Sequence, residues 1–247
     1  LDDILQKHTD PMVLRQDLAV LREWLQRLGW LVNEAKSDLS PSQEFQHLGM
    51  FFRTQHATVE LTSKRRDKLL DAVRALQAKR FTSPREVAAV IGFCASAAEL
   101  IPSGRLAVRP LQWALQDLWS QATQSWDVPI PVSQALHDAL LPWTSLQWLS
   151  SAVPLSLPLP DISLCSDASL TGWGAHLLPS FETVHGVWSR QETQLHINFL
   201  EMLAAFRALQ FWGGTLRGRS VMLLTDNTTV VAYIKNQGGT HSRQLCQ

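Results

Sequence analysis

The feature that most limits how this chain can fold is a set of three carboxylates, each of which interrupts an apolar stretch. Asp167 and Asp226 each close a short stretch whose pattern predicts a β-strand, and Glu201 lies inside a long apolar stretch that predicts a helix. Small and apolar side chains share the predicted helix face of Glu201, namely Ile197, Ala204, Ala205 and Ala208. Such a face lets the helix approach a sheet closely and directs the carboxylate toward that sheet.

The segment that contains these carboxylates is predicted to form an α/β layer. The predicted strands are 162–167, 172–178, 184–189 and 221–225, the last of them buried, and the predicted helices are 197–212 and 228–235. The order β-β-β-α-β-α is typical of a mixed-sheet α/β arrangement. If the strand ends bring Asp167 and Asp226 beside Glu201, the three acids repel one another.

A divalent cation would relieve this repulsion, because a buried carboxylate is costly unless it is paired or bound to a metal. Mg²⁺ prefers oxygen ligands, Mn²⁺ is an alternative, and two such ions can clamp the attacking and leaving oxygens of a phosphoryl displacement. Each residue alone also has a structural interpretation: Asp167 as a turn residue, Asp226 with Asn227 as a helix N-cap, and Glu201 as a solvated side chain. Their joint order favours the metal site.

The chain before residue 158 is predicted to consist of an α+β region up to residue 62 and a helical region over 63–157. Leucines at helical spacing run from Leu14 to Leu28 and precede Gly29, a helix stop signal, and short strands are predicted at 45–52 and 58–61. Further helices are predicted from the N-cap Ser63 through Ala78, from Ser83-Pro84 onward, and over 111–119. Six prolines between 129 and 160 predict a stiff, irregular connector.

Composition bounds the function classes. The 247 residues include 22 Lys+Arg and 22 Asp+Glu, so a nucleic-acid role would need a local basic face rather than a global excess. One such concentration lies on the predicted helix 63–78 and just after it, namely Lys64, Arg65, Arg66, Lys68, Arg74, Lys79 and Arg80. Its alternative interpretation is a solvated charged face.

Cysteine usage and hydropathy indicate the compartment. The three cysteines, Cys94, Cys165 and Cys246, lie far apart and in no metal-ligand spacing, which favours a reducing environment over a disulfide framework. Neither a membrane-spanning run nor a signal peptide is predicted, so we expect an intracellular protein of the cytoplasm or nucleus, with no membrane partner.

Three segments resemble the RNase H part of DIRS-like retrotransposon polyproteins. They are residues 166–175 (SDASLTGWGA), 196–201 (HINFLE) and 225–239 (TDNTTVVAYIKNQGG). The RNase H motif consists of an Asp on the first strand, a Glu on the first helix and an Asp at the end of the fourth strand. Asp167, Glu201 and Asp226 match these positions in order.

The beginning of the chain resembles the reverse transcriptase of the same family. Asp2 and Asp3 look like the end of the Asp-Asp hairpin of the polymerase palm, and residues 28–37 (LGWLVNEAKS), with Lys36, look like the stretch that follows it. Residues 45–49 (FQHLG) resemble the primer-grip turn, and the basic helix then falls in the thumb.

The resemblance implies three parts: the C-terminal part of a palm (1–62), a helical thumb or connection with a Pro-rich linker (63–157), and an RNase H-like domain (158–247). It implies Mg²⁺- or Mn²⁺-dependent hydrolysis of the RNA strand of an RNA/DNA hybrid at Asp167, Glu201 and Asp226, with no small-molecule cofactor. RNA-directed DNA synthesis is implied for the full-length parent, with Asp2, Asp3 and Lys36 as its remnant here. The expected contacts to hybrid or primer-template are Lys64, Arg65, Arg66, Lys68, Ser169, Asn198 and Asn227.

The sequence departs from the family pattern in two respects. The other palm Asp of the family would lie upstream of Leu1, so we expect no DNA synthesis by this chain. The family carries a fourth RNase H acid in a later segment, and no residue after Asp226 is acidic, so we expect weak or absent cleavage and a C-terminally truncated domain. A non-catalytic nucleic-acid-binding remnant or domesticated module is the alternative function.

A third hypothesis is a protein-interaction domain that uses the ten tryptophans, since Trp is enriched at interface hot spots. Trp30, Trp173 and Trp188 lie within the family's own patterns, and we expect them in the core instead.

Overall fold

The computed structural model describes residues 3–120 and 124–246. Its first helix, α1, spans Pro11–Arg27. The Asp10 carboxylate caps it by accepting the Met12 N–H, and Gly29 ends it at φ +80° as predicted. The predicted leucine stripe, however, packs against little, since α1 contains no buried residue. Trp30, predicted in the core, is 58% exposed, so that prediction is wrong.

A small antiparallel sheet follows α1. Its strands are β1 (Glu44–His47), β2 (Met50–Arg53) and β3 (Thr58–Leu61), and a later segment, β6 (Val153–Pro154), adds to β3. Leu48 and Gly49 form the two-residue turn between β1 and β2 with φ of +50° and +76°. Positive φ at both positions matches the right-handed strand twist and favours glycine at the second.

The middle of the chain is helical, with a two-stranded ladder. Its elements are α2 (Ser63–Gln77), β4 (Phe81–Thr82), α3 (Pro84–Ala97), α4 (Gly104–Leu118), β5 (Ile130–Pro131), α5 (Gln134–Leu140) and α6 (Leu146–Leu149). Ser83 caps α3 as predicted, whereas Thr62 takes the N-cap position of α2 and Ser63 is its first residue. The helix predicted over 111–119 begins earlier, at Gly104, and contains Pro110.

The proline-rich segment is not an irregular connector. It contains β5, α5, α6 and β6, and the hydroxyls of Ser133 and Ser145 cap the two helices. The segment forms these elements because its apolar side chains are buried, and the number of prolines gives no information about that burial. The most deeply buried described side chains include four from this segment, namely Leu136, Leu140, Trp143 and Leu149, together with Leu111 of the preceding helix α4.

A second four-stranded sheet lies in the last third. Its strands are β7 (Ile162–Ala168), β8 (Gly172–Leu178), β9 (Thr183–Val187) and β10 (Val221–Leu224), in the order β10-β7-β8-β9. β7, β8 and β9 are antiparallel neighbours, and β10 runs parallel to β7. The helices are α7 (Ile197–Phe211), α8 (Gly213–Leu216) and α9 (Thr228–Lys235). The predicted mixed α/β fold class is confirmed.

One face of this sheet packs against α7. Leu164, Ala175 and Leu177 of the sheet meet Ala208 and Trp212, and Leu200 and Ala204 join Trp188 in an adjoining cluster. The prediction that β10 is buried is wrong: Val221 and Leu223 are only partly buried against the first of these clusters, and Met222 and Leu224 are 45% and 44% exposed, because no helix covers the other face of the strand among the described residues. Trp188 is buried as predicted, and Trp173 is partly buried.

None of the described helices is both long and apolar enough to cross a lipid bilayer. The cysteines Cys94, Cys165 and Cys246 are all free thiols. Burial raises the pKa of the Cys94 thiol to about 12, so this side chain behaves as a small apolar residue of the core.

Candidate metal centre

Three carboxylates meet at one end of the second sheet. Asp167 lies near the end of β7, Asp226 follows β10, and Glu201 lies in the second turn of α7. One carboxylate oxygen from each lies within 4.8 Å of the others. The parallel register explains the meeting of the two aspartates: Leu224 lies beside Cys165, and two further residues along each strand place Asp226 beside Asp167.

The small residues of α7 bring Glu201 to this point. Ala204, Ala205 and Ala208 are almost fully buried, so the helix lies close to the strands, and Glu201 itself is only 5% exposed. Asp167 and Asp226 are exposed. The cluster therefore has a wall of low polarity on the helix side and opens to solvent on the strand side.

Burial and charge both act on Glu201. Desolvation is the largest cause that raises the pKa of the Glu201 carboxyl, and the negative charges of Asp167 and Asp226 raise it further, against a smaller lowering by the backbone N–H of Ala168. Its Oε2 atom is buried and has no hydrogen-bond partner among the described residues. A buried oxygen without a donor beside two further carboxylates fits a bound cation, which would satisfy the oxygen and relieve the repulsion. Three carboxylates are the hard oxygen donors that Mg²⁺ and Mn²⁺ accept.

A polar network holds the segment around the aspartates. The Ala168 N–H donates to Asp167 Oδ1 at 2.8 Å. Asn227 caps α9 by accepting the N–H groups of Thr229 and Val230, and its amide donates to Asn198 Oδ1 at 3.0 Å. The Asn198 amide donates in turn to Thr229 Oγ1 at 3.3 Å. The two asparagines therefore join α7 to α9 next to the carboxylates.

Three predicted nucleic-acid contacts thus have roles inside the fold. Asn198 and Asn227 bind each other, and the Ser169 hydroxyl accepts the N–H groups of Thr171 and Gly172 in the β7–β8 turn. All three lie close in sequence to acids of the cluster, but their polar atoms already have hydrogen-bond partners within the chain.

The predicted basic contacts lie on α2, and the structure divides them into two groups. Arg65 donates to the Ser96 carbonyl at 2.6 Å, and Arg66 donates to Ser150 Oγ at 3.1 Å, so both half-buried guanidinium groups are tied to other parts of the helical region. Lys64 and Lys68 are exposed, and the Lys68 ammonium lies 4.9 Å from the centroid of the Phe93 ring. The two lysines are therefore the accessible members of the predicted set.

The residues predicted as polymerase residues are Asp2, Asp3 and Lys36. Asp2 lies outside the described residues, and Asp3 and Lys36 are both exposed. Lys36 belongs to a short 3-10 turn that Asn33 caps. Among the described residues, the cluster of Asp167, Glu201 and Asp226 is the one group of three potential metal ligands, and Asp3 is not part of it.

Sequence reasoning did not single out two histidines beside the cluster. His176 on β8 and His185 on β9 line an open trough of about 680 Å³ that also includes Asp167 and Cys165. The alternation of side chains between the two faces of a strand could have indicated these histidines. His176 lies opposite Cys165, and Gly174 lies opposite both Asp167 and His185.

The fold of this chain is similar to that of known proteins, whereas its sequence matches none of those compared. No protein-family model matches the chain, and no curated protein sequence matches it. Among solved structures, the foamy viral protease-reverse transcriptase dRH in complex with double-stranded DNA is similar to it, with a TM-score of 0.50 and 14% identity. The match covers 92% of this chain and 38% of that one.

The chain is thus similar in fold to this viral protein, over a part of that protein's length. A second foamy viral protease-reverse transcriptase, also in complex with double-stranded DNA, matches with a TM-score of 0.45 and 15% identity over 89% of this chain and 44% of that one. This chain therefore spans less than half the length of the solved structures that it resembles.

The burial of Glu201 gives a prediction for stability. Because the pKa of Glu201 is raised in the folded chain, its ionisation opposes folding, and the free energy of unfolding should fall as pH rises from the usual glutamate range through the raised pKa. Glu201→Gln removes this titration. In chelator, the variant should lose less stability than the wild type between mildly acidic and neutral pH, as measured by urea unfolding.

The matched control is Glu23→Gln, since Glu23 is an exposed glutamate that pairs with Arg27 on α1. Its pH dependence should follow the wild type. A Glu201→Gln profile parallel to the wild type would show that the Glu201 carboxylate does not oppose folding.

Proposed function

We propose that this chain is part of a retroelement reverse transcriptase/ribonuclease H that hydrolyses the RNA strand of an RNA/DNA hybrid with Mg²⁺ or Mn²⁺. The observation that carries the proposal is the meeting of Asp167, Glu201 and Asp226 within 4.8 Å at the ends of two adjacent strands. The order of these acids along the chain and the sequence around each of them support the RNase H assignment.

Asp167, Glu201 and Asp226 are the residues that would hold the metal. When bound, a divalent cation lowers the pKa of a water molecule and stabilises the charge that develops at a phosphate. The protein contributes a buried carboxylate on α7, two exposed carboxylates that face solvent, and hydrogen bonds that hold Asp167 and the start of α9 in place. The exposed side is where a duplex backbone can approach.

The proposed substrate is a nucleic-acid duplex that is recognised without regard to its base sequence. Discrimination would depend on duplex shape and on the 2′-hydroxyl groups of the RNA strand. The solved structures with a similar fold hold double-stranded DNA, which supports a nucleic-acid duplex as the partner class. The exposed lysines Lys64 and Lys68 are the proposed contacts to its phosphates.

The finer assignment is to DIRS-like elements, and it rests on the motifs 166–175, 196–201 and 225–239. In this proposal residues 1–62 end a polymerase palm, 63–157 form the thumb or connection, and 158–247 form the RNase H-like domain. RNA-directed DNA synthesis is proposed for the parent polymerase, with Asp2, Asp3 and Lys36 in its remnant.

A second candidate is a non-catalytic module that binds nucleic acid. The observation in its favour is that the exposed lysines Lys64 and Lys68 lie on α2, in the helical part of the chain, so they could contact phosphates without the acidic cluster. A fold of this kind would bind a hybrid through the helical part and leave it intact.

Cleavage of a labelled RNA/DNA hybrid tests the proposal directly. With Mg²⁺ or Mn²⁺ we expect cutting of the RNA strand alone, because the carboxylates of Asp167, Glu201 and Asp226 meet within 4.8 Å. Asp226→Asn should abolish the cutting, since it removes the charge of one ligand but keeps the size and shape of the side chain. The products are measured on a denaturing gel.

A chelator should stop the reaction, and Asp161→Asn, which changes an exposed aspartate just before β7, should leave it unchanged. Cutting that persists in Asp226→Asn or in chelator would contradict the proposed site. Hybrid binding without any cutting would favour the second candidate.

The salt dependence of hybrid binding tests the proposed contact on α2. Log affinity falls linearly with log salt, by about 0.7–0.9 per neutralised phosphate. Lys64→Ala with Lys68→Ala should therefore weaken binding and flatten the slope by roughly one to two units if both lysines contact phosphates. Fluorescence anisotropy over a salt series measures both quantities.

The control pair is Arg15→Ala with Arg27→Ala, which removes two exposed positive charges from α1. This variant should keep the wild-type slope. Arg65 and Arg66 are left intact, because their replacement would also remove hydrogen bonds to Ser96 and Ser150. An unchanged slope in the lysine variant would place α2 away from the duplex.

A further inference from the structure

The helix that follows Asp226 is held by few buried side chains. α9 begins two residues after Asp226, and Val230 is its one buried residue. Met222 and Leu224 of the preceding strand are partly exposed, and β7 is the one described strand that pairs with β10. Segments with little burial open at low free-energy cost, so the position of Asp226 depends on what fixes the ends of α9.

The N-terminal end of α9 is fixed by the hydrogen bonds of Asn227 described above. The C-terminal end adopts a capped turn: the Gln237 N–H donates to the Ile234 carbonyl, and the Gly238 N–H donates to the Tyr233 carbonyl. Gln237 has φ of +51° and Gly238 has φ of +94°. This turn satisfies two late carbonyls of the helix and leaves those of Asn236 and Gln237 pointing outward.

Arg109 of α4 binds these two carbonyls. Its Nη2 donates to the Asn236 carbonyl at 2.9 Å, and its Nε donates to the Gln237 carbonyl at 3.5 Å. Gln112 accepts from the Nη1 of the same guanidinium at 3.1 Å, which orients it. A positive charge at the carbonyl end of a helix also interacts favourably with the helix dipole.

Arg109 belongs to a row of α4 residues that contact the chain after α9. Trp113 and Asp117 follow it at four-residue spacing, so all three lie on one side of the helix. Arg243 pairs with Asp117, and its guanidinium carbon lies 5.7 Å from the centroid of the Trp113 ring. The opposite side of α4, with Val108, Leu111 and Ala114, is buried in the helical core.

The fit at this contact is close. Gly238 is buried, and a Cβ there would lie 2.9 Å from Cys246 Sγ and 3.3 Å from Arg109 Cγ. The backbone of the turn can therefore reach Arg109 because residue 238 is a glycine. The helical part of the molecule thus makes a specific contact with the segment that carries Asp226.

We propose that Arg109 is a positioning residue for the acidic cluster, because it holds the carbonyl end of α9 and thereby the place of Asp226 at the other end. The eight residues of α9 span about 12 Å, which is the distance over which this effect is transmitted through one rigid helix. This inference rests on the proposed function, since it requires that the cluster binds a divalent cation.

Titration calorimetry with Mn²⁺, in the absence of nucleic acid, tests this role without a measurement of activity. Arg109→Ala should weaken Mn²⁺ binding by about tenfold, as the loss of residues that orient metal ligands commonly does. Arg109→Lys keeps the charge but loses the forked geometry, so its affinity should lie between those of wild type and Arg109→Ala.

The matched control is Arg105→Ala, one turn earlier on α4, where the guanidinium pairs with Glu99 instead of the α9 turn. It should bind Mn²⁺ like the wild type. Asp226→Asn identifies the heat that belongs to the cluster. Thermal unfolding and far-ultraviolet circular dichroism check that each variant is folded.

The outcomes separate the two proposals. Wild-type binding that Asp226→Asn abolishes, together with weakened binding in Arg109→Ala, supports the positioning role. If Arg109→Ala and Arg109→Lys bind Mn²⁺ like the wild type while Asp226→Asn does not, Arg109 serves stability alone and the metal site remains. If the wild type shows no binding that depends on Asp226, the proposed function is overturned and this inference with it.

Discussion

The close approach of α7 to the second sheet is the constraint on which the candidate site depends. Ala204, Ala205 and Ala208 allow this approach, and it places the Glu201 carboxylate in a region of low polarity beside two aspartates. An acid in that position is destabilised by burial and by like charge. A divalent cation reverses both effects, so the arrangement that costs stability in the free chain favours metal binding.

Much of this part of the fold could be predicted from the sequence, because its signals are local. Alternation over 162–167 predicted β7 to within one residue, and the strand predicted over 172–178 and the helix predicted over 228–235 have the bounds of β8 and α9. The three acids could be predicted to meet because Asp167 and Asp226 each close a strand and Glu201 interrupts the apolar sequence of a helix. Fold class followed from the same order of elements.

The remainder depends on tertiary contacts that periodicity does not encode. The prolines of the middle segment do not prevent α5 and α6, whose apolar residues enter the helical core. Arg65 and Arg66 belong to the same basic run as Lys64, but their guanidinium groups donate hydrogen bonds to Ser96 and Ser150. The contact of Arg109 with the end of α9 joins positions more than a hundred residues apart, which no local pattern could indicate.

Crystals of the chain soaked in Mn²⁺ would test the central claim most directly, through the anomalous scattering of the metal. A peak bounded by the carboxylates of Asp167, Glu201 and Asp226 is expected, and it should disappear in crystals of Asp226→Asn. Anomalous density confined to other positions, such as the trough beside His176 and His185, would contradict the assignment of these three acids as a metal centre.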